Sequence, residues 1–122
     1  MEFREPKGIY LQIAERICVR VLEGEWQVGE RIPSIRELAV ELAVNPNTVT
    51  KSYQALLDQQ IIINQRGRGY FVSDGAREKV MTTMKNEFIR NELPNVFKTM
   101  KLLGIEIDEL AQYLPHTSDK KT

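Results

Sequence analysis

Between Pro33 and Leu57 the chain reads PSIRELAVELAVNPNTVTKSYQALL, a segment with two helix starts so close together that it leaves little freedom to the fold. Ser34 followed by Glu37 is a capping box: the hydroxyl accepts from the amide three residues on, while the carboxylate accepts from the Ser34 amide. Behind it Ile35, Leu38, Ala39, Leu42 and Ala43 recur at helical spacing and define one apolar face. Asn45 and Pro46 then supply a second cap and a proline at the first helical position, where its missing N–H costs nothing. Val49, Tyr53, Leu56 and Leu57 give the second helix a buried face, which leaves Asn47, Thr48, Thr50 and Lys51 outside near its amino end. Two short helices in succession, the second with hydrogen-bonding side chains at an exposed amino end, are the layout of a DNA-reading helix-turn-helix.

The flanking segments complete that unit. From Ile9 to about Leu22, the residues Tyr10, Ile13, Ala14, Ile17 and Val21 share one face, which predicts a core helix ended by Gly24. Cys18 lies among them, cannot form an internal disulfide as the single cysteine, and reads as a buried thiol, with a redox-sensing thiol as the alternative. Trp26, Val28 and Ile32 flank Gly29 in a connector with the makings of a short strand, Trp26 plugging the core edge. Ile61-Ile62-Ile63 is a β-branched run suited to a strand, Gln65 to Gly69 carries turn chemistry, and Tyr70-Phe71-Val72 returns as a second strand. This hairpin would be a wing, its tip bearing Arg66 and Arg68, with Gly67 and Gly69 letting the backbone approach a ligand closely.

Ser73-Asp74-Gly75 reads as a joint, which divides the chain into a winged helix-turn-helix domain over 1–74, a helical segment over 75–114 and a polar, frayed tail over 115–122. In the helical segment Val80, Met81, Met84, Phe88 and Ile89 form an apolar stripe, and Pro94 either kinks the helix or begins a new one. Phe97, Met100 and Leu103 extend the stripe to Gly104, and Asp108 is placed to cap a last short helix with Leu110, Ala111, Tyr113 and Leu114. About forty residues of amphipathic helix cannot enclose a core alone, so a second copy of the chain is the economical cover. Val80, Met84, Phe88, Phe97, Met100, Leu103 and Leu110 are the candidate dimer contacts. The expected fold is mainly α with one small β-hairpin.

Composition narrows the function classes. At 122 residues the chain has room for one modest core and an appendage, and no apolar run approaches a membrane span. The amino terminus MEFREPKG has no signal-peptide character, so a cytoplasmic address is expected. The only histidine, His116, falls in the polar tail, so no histidine-based triad or multi-histidine metal site can be assembled; neither catalysis nor a cofactor is expected. The formal net charge is zero, although Arg31, Arg36, Lys51, Arg66 and Arg68 outnumber Glu37, Glu41 and Asp58 between Arg31 and Ser73. Phosphate neutralisation drives DNA affinity, so weak nonspecific binding and a need for two copies follow.

The segments Ile9-Tyr10-x-Gln12-Ile13, Gly24, Gly29-Glu30-Arg31-Ile32-Pro33-Ser34-x-Arg36-x-Leu38-Ala39, Val44-Asn45-Pro46-Asn47-Thr48-Val49 and Gly67-Arg68-Gly69-Tyr70-Phe71-Val72 together resemble the GntR family of bacterial transcription regulators. The Asn-Pro-Asn-Thr-Val run and the short remainder look most like its YtrA-like subfamily. The resemblance implies a homodimeric repressor on a pseudo-palindromic double-stranded DNA operator, dimerised through the short helical tail, with no effector identified. It places Arg36 at the mouth of the major groove, Ser34, Asn45, Asn47, Thr48, Thr50 and Lys51 around the recognition helix, and Arg66, Gly67, Arg68 and Gly69 at the wing. Relatives carry arginines at the Pro46 and Thr50 positions and commonly a glycine at Gln60, so the base-reading surface departs from theirs. A winged-helix module that binds protein instead of DNA is the alternative, and the polar front of the recognition helix with its arginine-tipped wing argues against it.

Overall fold

The computed structural model describes residues 8–115, and the chain divides into two compact units, Met1–Thr83 and Met84–Thr122. The tail expected after Pro115, including His116, lies outside the described residues except for Pro115 itself.

In the first unit α1 (Ile9–Leu22) and α2 (Ile35–Leu42) both pack on α3 (Pro46–Asp58). The predicted periodicities supply the core: Ile13, Ala14, Ile17 and Val21 from α1, Leu38 and Ala39 from α2, Val49, Tyr53 and Leu56 from α3. A two-stranded antiparallel hairpin follows, β1 (Ile62–Gln65) and β2 (Gly69–Val72), in the register Ile62 to Val72 through Gln65 to Gly69. The strand begins one residue later than the isoleucine run suggests, because the Ile61 amide still bonds the Leu56 carbonyl at the helix exit. Where the connector pattern allowed a short strand, the chain forms a single isolated bridge, Arg31 with Phe71, flanked by Gly29 and Ile32 donating to the Val72 and Tyr70 carbonyls and Glu30 accepting from Val72. Trp26 is buried at the core edge, with the Arg20 guanidinium 4.1 Å above its ring. Arg20 also pairs with Glu25 at 2.6 Å and Glu41 at 3.0 Å, joining the end of α1 to α2; its bond to Glu25 is the main reason the guanidinium is held above its ordinary pKa.

Several side chains sit differently from the pattern. Ala43 is exposed because it is the left-handed cap that ends α2, at φ 56°, and cannot also continue the apolar face. Leu57 and Cys18 are half-buried, lying at the margins of their faces. Val80, on α4 (Ala76–Glu87), is 1 % exposed within the first unit and is a core residue there, unavailable to a partner. Arg77, on the first turn of the same helix, donates to the Leu22 carbonyl at the carboxyl end of α1.

In the second unit a π-helical stretch, Phe88–Glu92, runs directly into α5 (Leu93–Leu103). The Leu93 amide donates to Phe88, five residues back, and Pro94 sits in the first turn of α5, where its missing N–H is tolerated. Pro94 therefore begins a helix, and the adjustment that admits it is the wide turn before it. Gly104 ends α5 with φ 71°, as expected. The short helix α6 (Ile107–Leu110) is capped by Glu106, which forms a capping box with Glu109; Asp108 lies inside the first turn instead, since the chain turns helical one residue before it. A single 3₁₀ turn, Ala111–Tyr113, follows.

Candidate nucleic-acid interface

The amino end of α2 forms the capping box that Ser34 and Glu37 encode. Glu37 donates its amide to the Ser34 hydroxyl at 3.0 Å, and Ser34 donates its amide to the Glu37 carboxylate at 2.8 Å. That backbone bond is the main reason the Glu37 carboxyl is held below its ordinary range. Arg36, the next residue along the helix from Ile35, is exposed.

The start of α3 is fixed the same way. The Asn47 amide donates to the Asn45 side chain at 2.8 Å, and Pro46 occupies the first turn. Asn45, Asn47, Thr50 and Lys51 are exposed, whereas Thr48 is half-buried. The Thr50 hydroxyl donates back to the Pro46 carbonyl at 3.1 Å, which leaves it as an acceptor toward any ligand.

At the wing, the Arg68 amide closes the turn on the Gln65 carbonyl at 2.8 Å, with Gly67 at φ 77° in a conformation that L side chains rarely adopt. Arg66 and Arg68 are exposed at the tip, and the Arg68 guanidinium lies 5.5 Å from the Phe71 ring centre. Gln60, where a glycine was the expectation by resemblance, has φ 62°. Its carbonyl accepts from the Ser73 hydroxyl and from Lys79, contacts that hold a non-glycine residue in a left-handed turn.

Three polar anchors escaped the sequence reading. Tyr53 is 1 % exposed, donates its hydroxyl to the Pro33 carbonyl at 2.6 Å and meets Tyr70 edge-on at 4.9 Å. One side chain of α3 therefore touches both the turn that precedes the α2 cap and the hairpin. Burial pushes its phenol well above the ordinary range, so it remains a donor at any physiological pH. Ser52, fully buried, donates to the Tyr10 carbonyl at 2.6 Å and ties α3 to the first turn of α1. Arg31, counted above only as charge, donates its Nε to the Arg68 carbonyl at 3.2 Å. A serine and a tyrosine at helical spacing signal burial, but their hydroxyl partners lie far away in sequence.

No group of three or more His, Cys, Asp or Glu among the described residues could hold a metal, and no helix among them is long and apolar enough to cross a membrane. Residues 9–72 match the family model described as bacterial regulatory proteins, gntR family. The chain is 32% identical over 115 residues to the HTH-type transcriptional repressor YtrA of Bacillus subtilis, covering 94% of this chain and 88% of that protein. A GntR family transcriptional regulator from Listeria monocytogenes superimposes with a TM-score of 0.69 at 29% identity, covering 91% of this chain and 96% of that one. The AraR DNA-binding domain, solved in complex with an operator, gives 0.51 at 26% identity over 60% of this chain and 95% of that one. With the matched region spanning the three helices and the wing, the chain belongs to the GntR family of bacterial regulatory proteins and is a winged-helix transcription regulator.

Proposed function

We propose that the chain is a cytoplasmic repressor of transcription that binds a pseudo-palindromic operator as a homodimer. The amino end of α3 enters the major groove with Asn47, Thr50 and Lys51 toward base edges and phosphates, Thr48 beside them, and Ser34 and Asn45 holding the two helix starts. Arg36 grips a guanine edge or a phosphate, and Arg66 and Arg68 reach the flanking backbone from the wing, where Gly67 permits close approach, while the space beside Gly69 is taken by Arg31. The observation that carries this reading is the exposed, side-chain-capped start of α3 on a helix whose Tyr53 is anchored to both neighbouring contact segments. The repressor named YtrA, alike over nearly the whole chain, supports the direction of control.

The segment 75–114 supplies the dimer. Phe88 is 46 %, Phe97 46 %, Leu103 68 % and Leu110 38 % exposed, and Ile107 and Leu114 more than 60 %, so the second unit carries apolar surface a single chain leaves to water. Met84 is half-buried, and Met100 is already buried within the chain. Selection of bound fragments from a random duplex pool tests the reading. An inverted repeat with half-sites about one helical turn apart is the expected result; recovery of a single half-site would remove the dimer, and no enrichment would remove specific recognition.

A further inference from the structure

We propose that Arg31, which lies outside the helix-turn-helix and outside the wing, positions the wing for DNA; this rests on the DNA-binding reading above. Arg31 pairs with Phe71 as an isolated bridge on the outer edge of β2, so its backbone is fixed relative to the hairpin. From there its Nε donates to the Arg68 carbonyl at 3.2 Å. Arg68 is also held through its own side chain, which lies over the Phe71 ring. The main chain and the side chain of the tip arginine are thus restrained by adjacent residues of one bridge.

Gly69 is shaped to this contact. A Cβ built there would stand 2.8 Å from Arg31 Nε, and the residue has φ 122°, so the space beside it belongs to the guanidinium. The Arg31 charge also makes a small contribution, after the Ser34 bonds, to holding the Glu37 carboxyl in its charged form. A two-strand hairpin is marginal on its own, so a fixed tip needs such an external brace. Arg31 is a positioning residue acting through Arg68, not a phosphate contact in its own right.

A double-mutant cycle separates these roles, using the tightest duplex recovered from a random pool and the full chain. Arg31→Ala is expected to weaken binding about tenfold beside a native Arg68, and less than about twofold in an Arg68→Ala background, since only coupled residues depart from additivity. In that background the salt slope stays where Arg68→Ala left it. Equal losses in both backgrounds, with a further drop of about one in the salt slope, would make Arg31 a direct phosphate ligand and overturn the proposal. Arg31→Lys keeps the charge without the fixed Nε–H, so it is expected to behave like Arg31→Ala; full activity of this variant, or no effect from either substitution, would also overturn the proposal. Thermal midpoints recorded alongside identify a folding defect, and if Arg31→Ala fails to fold the same cycle is read with Arg31→Lys. A native chain that recovers no duplex sinks both this inference and the DNA reading, whereas additivity with an active native chain sinks this one alone.

Discussion

The winged-helix unit and the helical unit that follows it use the same chemistry of apolar stripes and capped helices, yet they finish in opposite conditions. In the first, the stripes of α1, α2 and α3 meet one another, and buried hydroxyls of Ser52 and Tyr53 cross-link elements distant in sequence. In the second, most of the described apolar residues remain in contact with water, with Met100 an exception at 7 % exposed. Periodicity alone does not distinguish these outcomes. What separates them is whether the chain itself supplies an opposing face, and the second unit is too short to do so.

The sharpest way to break that contrast is to damage each side in turn. Leu38→Ala, at a site with 0 % exposure, is expected to cost about 2–5 kcal/mol in urea unfolding, whereas Leu102→Ala, 81 % exposed, is expected to change little. If the two cost the same, the first unit is not the self-sufficient one. Phe97→Glu combined with Leu103→Glu is expected to yield monomers in sedimentation equilibrium and to lower operator affinity about a hundredfold, because two linked recognition helices act as one bivalent ligand. A mass unchanged at the dimer value would place the contact on another surface, and a native chain that is itself a monomer would remove the proposed dimer.

Smaller substitutions refine the account of the first unit. Tyr53→Phe removes one hydroxyl from the Pro33 carbonyl and should cost about 1 kcal/mol of stability, with the ring contact to Tyr70 intact. A neutral result in chemical denaturation would mean that water replaces the bond. The weakest expected effect is a dependence on acid. Glu37 has a lowered carboxyl pKa in the folded chain, so its cap stabilises the fold above the ordinary carboxylate range and is lost as the pH falls through the lowered value. Thermal midpoints of the native chain and Glu37→Gln should therefore converge on acidification; curves that stay parallel would show that the charge contributes nothing.

Local chemistry was legible in the sequence where the deciding partner lies a few residues away. Ser34 with Glu37, Asn45 with Pro46, and Gly104 each marked a helix end that the structure forms. Ala43 was harder, because a left-handed cap without glycine is set by the turn it must close and not by the residue's own preference. Val80 looked like its neighbours on the stripe of the second unit, and only the folded chain reveals that it belongs to the first. At the candidate interface the exposed residues of α3 and the wing arginines were visible as pattern. The braces behind them, Ser52, Tyr53 and Arg31, were not, since each acts on a carbonyl at least twenty positions distant.

The wide turn at Phe88–Glu92 sets the phase of everything after it. An i→i+5 turn takes up about one residue more than an ordinary one, and each residue rotates a helix by about 100°. Counting in steps of 3.6 from Met84 and Phe88 without that extra residue arrives at Asn91, Asn95, Lys98 and Leu102; with it, the count arrives at Leu93, Val96, Met100 and Leu103. Deleting one residue from this turn would let an ordinary helix keep Leu93, Val96, Met100 and Leu103 in line, whereas straightening the turn at full length would swing Asn91 and Asn95 onto the greasy side.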